Sequence, residues 1–165
     1  MVNTNNLNIS DGQKFVFGNL FLLANKLQII GDHYLGKDDM TTKQWFLSVI
    51  IMQFGNDHPT LTEVSNLMGS SRQNVKQLAL KLAEKGFISI EKDQKDTRAV
   101  RLKLTEKSRT FWEKRQTQDD QFITELFQDL NINEITTISG GIKKLLLKIA
   151  EIENRYSQKG EFSNE

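Results

Sequence analysis

The sequence feature that most constrains the fold is a change of apolar period at Gly86. On its N-terminal side the apolar residues follow one helical face, namely Val75, Leu78, Ala79 and Leu82. On its C-terminal side they alternate in two runs separated by a charged segment, Phe87, Ile88 and Ile90, then Val100, Leu102 and Leu104. Helices repeat every 3.6 residues and strands every two, so this pattern predicts a helix followed by a β-hairpin with a charged tip.

Capping signals and glycines predict two further helices before this hairpin. A capping box at Thr41–Gln44 opens an apolar helix, and a second capping box at Ser70–Gln73 opens the helix that runs to Lys85. Between them a short helix over Thr62–Leu67 is ended by Gly69. A short helix, a glycine-containing turn, a second helix and a hairpin together predict a winged helix-turn-helix.

Two helices near the termini carry more apolar surface than a small monomer can bury. Residues 14–34 are apolar nearly all round in their first turns. The last helix has a heptad pattern, Ile135, Ile138, Ile142, Leu145, Ile149 and Ile152. Gly140 and Gly141 interrupt this pattern, which is consistent with either a close helix crossing or a kink. Both helices therefore need a further surface to pack against.

The predicted fold class is mainly α with a small β-wing, a winged helix-turn-helix lobe plus a helical dimerisation arm. The predicted segments are a polar N-terminal extension (1–13), a helical dimerisation region (14–35 and 131–156), a winged helix-turn-helix DNA-binding domain (40–104), a long connecting helix (105–130) and a flexible tail (157–165).

Composition argues against several function classes. The 165 residues contain no cysteine and only two histidines, His33 and His58, so we expect no metal site and no thiol chemistry. No nucleophile–base pair and no glycine-rich phosphate loop is recognisable, so we expect neither catalytic residues nor a cofactor. The N-terminus lacks the pattern of a signal peptide and no apolar run reaches the length of a membrane span, so we expect a cytoplasmic protein with no membrane partner.

The charge distribution points to a phosphate-facing surface. The segment from Ser70 to Leu104 has a net charge of +5, whereas the whole chain has only +1. Gln and Asn side chains on the second helix of such a motif can pair with adenine, and Arg and Lys with guanine. The candidate DNA-binding residues of this helix are Ser70, Ser71, Arg72, Gln73, Asn74, Lys76, Gln77 and Lys81.

The charged hairpin supplies a second set of candidate DNA contacts. Lys95 and Arg98 are long enough to enter a narrow minor groove, with Asp96 bracing the Arg98 guanidinium. Alternatively, Asp96 and Arg98 form a surface ion pair that contributes little. Arg101 is expected to face solvent or phosphate. The complete set predicted for the wing is Lys92, Lys95, Asp96, Thr97, Arg98 and Arg101.

These motifs resemble the MarR (multiple-antibiotic-resistance regulator) family. The resemblance runs from about Lys14 to Arg155 and includes "LAEKGFI" after the second helix, followed by the Asp-x-Arg of the wing, Asp96 to Arg98. It implies a homodimeric bacterial transcription regulator that reads pseudo-palindromic double-stranded DNA, with its terminal helices as the dimer interface. Gln77 stands where the family often has arginine, so the family's operator sequence does not carry over. Ser108 stands where glycine is common, a departure of minor structural consequence.

The resemblance also implies that a small aromatic or anionic effector releases the DNA. Aromatic residues positioned in sequence for such a pocket are Tyr34, Trp45, Phe46, Phe111 and Trp112. Aromatics at helical spacing are more often part of a core. A different class of function also fits the sequence: a winged-helix protein-interaction module without sequence-specific DNA binding, whose heptad helix recruits a partner.

Overall fold

The computed structural model of the protein describes residues 8–93 and 99–158. The elements of these residues are α1 (Ile9–Gly36), α2 (Thr42–Gln53), α3 (Leu61–Met68), α4 (Arg72–Glu84), β1 (Ile88–Lys92), β2 (Val100–Leu104), α5 (Glu106–Phe127) and α6 (Ile132–Gln158). The chain divides into two units, residues 1–108 and residues 109–165. None of the helices in the described residues is both long enough and apolar enough to span a lipid bilayer.

Helix α1 begins five residues earlier than the sequence predicted. The side chain of Asn8 accepts a hydrogen bond from the amide of Asp11 at 3.0 Å, which satisfies one of the free amides of the first turn. Residues 9–13 of the predicted extension therefore belong to the helix, because a local cap suffices to begin it before its apolar region.

Helices α1 and α2 approach each other closely at Gly31. A Cβ atom at this position would lie 2.4 Å from Oγ1 of Thr42, so only glycine leaves room for the second helix. The Thr42 amide donates to Oδ1 of Asp32 at 2.7 Å, and its hydroxyl donates to the carbonyl of Gln28 at 3.2 Å. These contacts attach the start of α2 to the last turns of α1. The predicted Thr41–Gln44 capping box is present.

The N-cap of α4 lies one residue later than the sequence predicted. Gly69 is left-handed at φ 58°, and the amide of Ser70 donates to the carbonyl of Ser65 at 3.1 Å. Because Ser70 thus closes α3, the N-cap of α4 is Ser71, whose hydroxyl accepts from the amide of Asn74 at 3.2 Å. The predicted Ser70–Gln73 capping box was therefore wrong.

Helices α2 to α4 and the hairpin enclose the core of the first unit. Strands β1 and β2 pair antiparallel, with Ile90 opposite Leu102 and Ile88 opposite Leu104. The buried apolar residues of this core are Leu47, Ile50, Ile51, Leu61, Val64, Val75, Ala79, Leu82, Phe87, Ile88 and Leu102. The predicted helix and hairpin are both confirmed as elements, but burial alternates only weakly along the strands, since Ile90, Val100 and Leu104 are half-buried like Arg101 and Lys103.

The first turn of α5 is attached to the end of α4. The hydroxyl of Thr105 donates to the carbonyl of Gly86 at 2.7 Å, and Lys107 Nζ donates to the carbonyl of Lys85 at 2.6 Å. The ammonium of Lys107 also lies 5.2 Å from the centroid of the Phe87 ring. These contacts tie the exit of the hairpin to the C-terminal end of α4.

Helix α6 is continuous from Ile132 to Gln158, and none of its residues is buried. Its N-cap is Asn131, whose side chain accepts from the amides of Asn133 and Glu134 at 3.0 and 3.2 Å. It extends two residues into the segment that the sequence predicted as a tail. A Cβ at Gly140 or Gly141 would meet no described atom within 4 Å, so the two glycines are not explained by packing within the described part of the chain.

Candidate nucleic-acid interface

Helix α4 presents a polar face to solvent on the side opposite its core residues. Its buried residues Val75, Ala79 and Leu82 face α2 and α3. The predicted recognition residues of this helix are exposed except Ser70, which is half-buried and precedes the cap; the exposed ones are Ser71, Arg72, Gln73, Asn74, Lys76, Gln77 and Lys81. Side-chain donors and acceptors on this face are available to an external partner.

The exposed arc of α4 has two sides. Helical geometry places Gln73 nearly opposite the buried face, with Arg72 and Lys76 on one side of it. On the other side lie Asn74, Gln77 and Lys81, and all three line a cavity in the first unit. One side of the helix therefore faces open solvent, whereas the other forms a wall of the cavity.

The cavity has a volume of about 850 Å³. It lies between α1, α2 and α4, and the end of α3 also contributes to its lining. Apolar side chains from three helices, among them Leu27, Phe46 and Leu78, are combined with the ammonium groups of Lys43 and Lys81. Small-molecule sites typically occupy 300–1,000 Å³ and have a largely apolar lining with a few polar groups.

Two of the five aromatic residues predicted for an effector pocket line this cavity. Trp45 and Phe46 do so with stacked rings whose centroids are 6.4 Å apart. Tyr34 is half-buried and is not part of the lining. Phe111 and Trp112 belong to the second unit, where their rings meet edge to face at 4.7 Å. The sequence did not reveal Lys43, which lies at a position inside the Thr41–Gln44 capping box that the motif leaves unspecified.

The predicted wing residues fall into three groups. Lys92 is exposed at the end of β1. The tip residues Lys95, Asp96, Thr97 and Arg98 lie outside the described residues, so their predicted roles are untested. Arg101 lies on β2 and is only partly exposed, with 38% of its side chain accessible.

The side chain of Arg101 is committed to contacts within the protein. Its Nε donates to Oδ2 of Asp93, and its Nη1 donates to the carbonyl of His58 at 2.7 Å. A buried carboxylate and a loop carbonyl thus take part of the donors of Arg101, and its contact with phosphate stays a prediction. Asp93 is only 6% exposed. The sequence missed this residue as a functional candidate, and its position in a charge-rich segment concealed its burial.

The first turn of α3 contains a capping carboxylate, Glu63, whose pKa is shifted. Thr60 caps α3 through a reciprocal capping box with Glu63, which the sequence analysis had not identified. The pKa of the Glu63 carboxyl is lowered, first by the hydrogen bond from the Thr60 amide and then by the one from its hydroxyl, whereas slight burial opposes this and the smaller effects of Arg101 and Asp93 have opposite signs. The charges of Arg101 and Asp93 in the hairpin therefore act on the capping residue of α3.

Together these elements define a winged helix-turn-helix fold with extended terminal helices. A crystal structure of a MarR/EmrR family transcriptional regulator from Acinetobacter sp. ADP1 has a TM-score of 0.70 and 22% identity, covering 88% of this chain and 99% of that chain. The S. aureus MepR–DNA complex has a TM-score of 0.68 and 19% identity, covering 87% and 99%. The resemblance to the MarR family is thus confirmed at the level of the fold.

Sequence comparison gives a more limited match. The transcriptional repressor MprA of Escherichia coli (strain K12) is 27% identical over 109 residues, which are 66% of this chain. The matched region spans 62% of the length of that repressor. No protein-family model matches the chain.

Proposed function

We propose that the protein is a transcription regulator that binds double-stranded DNA through the outward face of α4 and the adjacent hairpin. The observation that carries this proposal is the exposed row of Arg72, Gln73 and Lys76 on a helix held in place by a buried core. Such a helix can enter the major groove, where these side chain types pair with base edges. The similarity to the repressor MprA and to the MepR–DNA complex supports the same proposal.

We further propose that the regulator acts as a homodimer formed by α1 and α6. Both helices carry long exposed apolar faces, which include Phe17, Phe21, Ile142 and Ile149. Exposed apolar surface of this extent usually marks an interface. A twofold dimer would present two copies of α4, which suits a pseudo-palindromic operator.

The DNA-binding proposal can be tested by selecting bound fragments of the source genome with the full-length protein. Affinity for a selected fragment is then measured by fluorescence anisotropy over a range of salt concentrations. We expect Lys76→Ala to weaken binding and to reduce the magnitude of the salt slope by about 1, because one positive charge at the DNA surface is lost. We expect Gln73→Ala to change base preference. The matched control is Lys114→Ala, an exposed lysine of α5, which should leave both quantities unchanged.

The competing proposal is a winged-helix module that binds other proteins and not DNA. The exposed heptad face of α6 favours it, since such a face can receive a partner helix. It predicts that no genomic fragment is selectively retained at moderate salt. Under that outcome the DNA-binding proposal is abandoned.

We propose that a small aromatic anion regulates the protein from the 850 Å³ cavity. Trp45 and Phe46 offer ring contacts, and Lys43 and Lys81 offer positive charge. Asn74, Gln77 and Lys81 belong to both the cavity and α4, so an occupant can re-orient the side chains that would read DNA. The probes are benzoate and 1-naphthoate, with benzamide as the uncharged control.

Binding of these probes can be followed by Trp45 fluorescence in a Trp112→Phe background, which leaves one tryptophan. We expect the acids to quench this fluorescence and benzamide to do so at much higher concentration. Lys81→Gln should remove the preference for the acids. If quenching by benzoate is unaffected by both Lys81→Gln and Phe46→Ala, the cavity is not the binding site.

A further inference from the structure

We propose that Arg101 and Asp93 form a clamp that sets the direction of the wing relative to α3 and α4. In this assignment Arg101 is a positioning residue whose guanidinium is held by the protein and does not contact phosphate. The consequence for DNA binding rests on the proposed function. The clamp itself is a property of the free protein and can be tested without DNA.

The clamp joins the hairpin to the loop that precedes α3. The Arg101 guanidinium bridges the carboxylate of Asp93 to the carbonyls of His58 and Asp57, at 2.7 and 3.5 Å respectively. Asp93 is 6% exposed, and the Arg101 guanidinium compensates part of its buried charge. One planar side chain thus connects the hairpin to a loop whose two carbonyls lie 43 and 44 residues before Arg101 in the sequence.

Backbone contacts hold the same two segments at the same place. The amide of Leu102 donates to the carbonyl of Pro59 at 2.9 Å, and Thr60 forms an isolated antiparallel bridge with Arg101. The loop therefore pairs with β2 over a single residue. Because so short a pairing fixes direction poorly, the side-chain contacts of Arg101 supply the additional restraint on the angle of the hairpin.

The position of the clamp connects the wing tip to the helix-turn-helix. The amide of Asp93 donates to the carbonyl of Ala99 at 3.0 Å, so these two residues bracket the tip at residues 94–98. At the other end, Thr60 is the N-cap of α3, which packs against α4. A change in the clamp therefore alters the distance and angle between the wing and α4, which must both fit one DNA duplex.

The two proposed roles of Arg101 predict opposite effects of neutralising Asp93. If Arg101 only contacts phosphate, Asp93→Asn removes a negative charge near DNA and tightens binding. If the clamp positions the wing, Asp93→Asn weakens binding, and we expect a loss of about tenfold or more. The matched control is Glu84→Gln, which removes the same charge from an exposed residue at the C-terminal end of α4 and is expected to leave binding unchanged or slightly tighter.

A second variant separates charge from geometry. Arg101→Lys keeps the positive charge, but a lysine lacks the planar fork that joins a carboxylate and a carbonyl at once. The clamp predicts that Arg101→Lys weakens DNA binding about as much as Asp93→Asn, and that the double variant is little worse than either single one. A phosphate contact predicts that Arg101→Lys retains affinity.

Hydrogen exchange of the free protein tests the clamp independently of DNA. We expect the Leu102 amide to exchange at least about tenfold faster in Asp93→Asn and in Arg101→Lys, while the amides of Ala79 and Leu82 in α4 keep their protection. Unchanged exchange at Leu102 in both variants overturns the clamp. If the wild-type protein binds no DNA, the proposed function fails, and the exchange rates still decide whether the clamp exists.

Discussion

Helices α4 and α6 have similar apolar spacing but opposite surroundings. In α4, Val75, Ala79 and Leu82 are fully or almost fully buried against the rest of the first unit. In α6 the corresponding stripe is exposed, and Ile142 retains 44% of its accessible surface. An apolar stripe in the sequence therefore shows that a helix needs a partner surface, but it does not show whether the same chain supplies that surface.

Helix α1, like α6, leaves most of its apolar residues exposed. Its apolar residues surround the helix, and the structure buries only Gly31 and Leu35, near the contact with α2. The lobe is thus complete within one chain, whereas α1 and α6 leave apolar surface available to a second chain. We expect substitutions in the lobe to lower the free energy of unfolding strongly. We expect substitutions in α1 and α6 to have smaller effects that depend on protein concentration.

The largest effect is expected for Leu82→Ala. Leu82 has no accessible surface, so the substitution removes buried methylene groups and leaves a cavity. We expect a loss of about 2–5 kcal/mol in the free energy of unfolding. Chemical denaturation followed by circular dichroism measures it. A loss below about 0.5 kcal/mol would mean that α4 is not part of a packed core.

A smaller effect, of a different kind, is expected for Ile142→Ala. The side chain is partly exposed in one chain, so its loss should hardly alter unfolding of the lobe, whereas a dimer interface would lose about 1–3 kcal/mol per chain. Sedimentation velocity over a dilution series should show a weaker dimer. Thr137→Ala, an exposed residue elsewhere on α6, is the control. If the Ile142→Ala variant and the wild type associate identically, the apolar stripe of α6 does not pack against a second chain.

The smallest effect is expected for Glu63→Gln, which tests the cap of α3 inside the lobe. Glutamine can still accept a hydrogen bond, but it loses the favourable charge at the helix N-terminus, worth about 0.3–1 kcal/mol at low salt. Because the pKa of Glu63 is lowered in the folded protein, its stabilisation is present above the ordinary value of 4.5 and is lost as pH falls through the lowered value.

The wild type should therefore be more stable than Glu63→Gln at pH 7, and the difference should disappear at lower pH. Denaturation curves of both proteins from pH 7 to pH 3 provide the measurement. A difference that is independent of pH would show that the carboxylate charge is not what the cap uses.

Most of the fold could be predicted because it is specified by local patterns. The change of period at Gly86 predicted the helix and the hairpin, and the left-handed conformation of Gly86 at φ 74° ends α4. The capping box at Thr41 and Gln44 is a contact between near neighbours, which a sequence displays directly. The error at Ser70 arose where two local signals compete, since closing α3 uses the amide of the residue that the sequence assigned as the next cap.

The candidate site was predicted less completely because its contacts are distant in sequence. The sequence by itself determined that residues 70–104 combine a polar helix face with a charged hairpin, since these depend on residue type and spacing. Only the tertiary structure decided that Arg101 is held by Asp93 and the His58 carbonyl, and that Trp45 and Lys81 line one cavity. Burial and hydrogen-bond partners depend on which distant segments pack together. The periodicity of residue types along the chain does not show which segments those are.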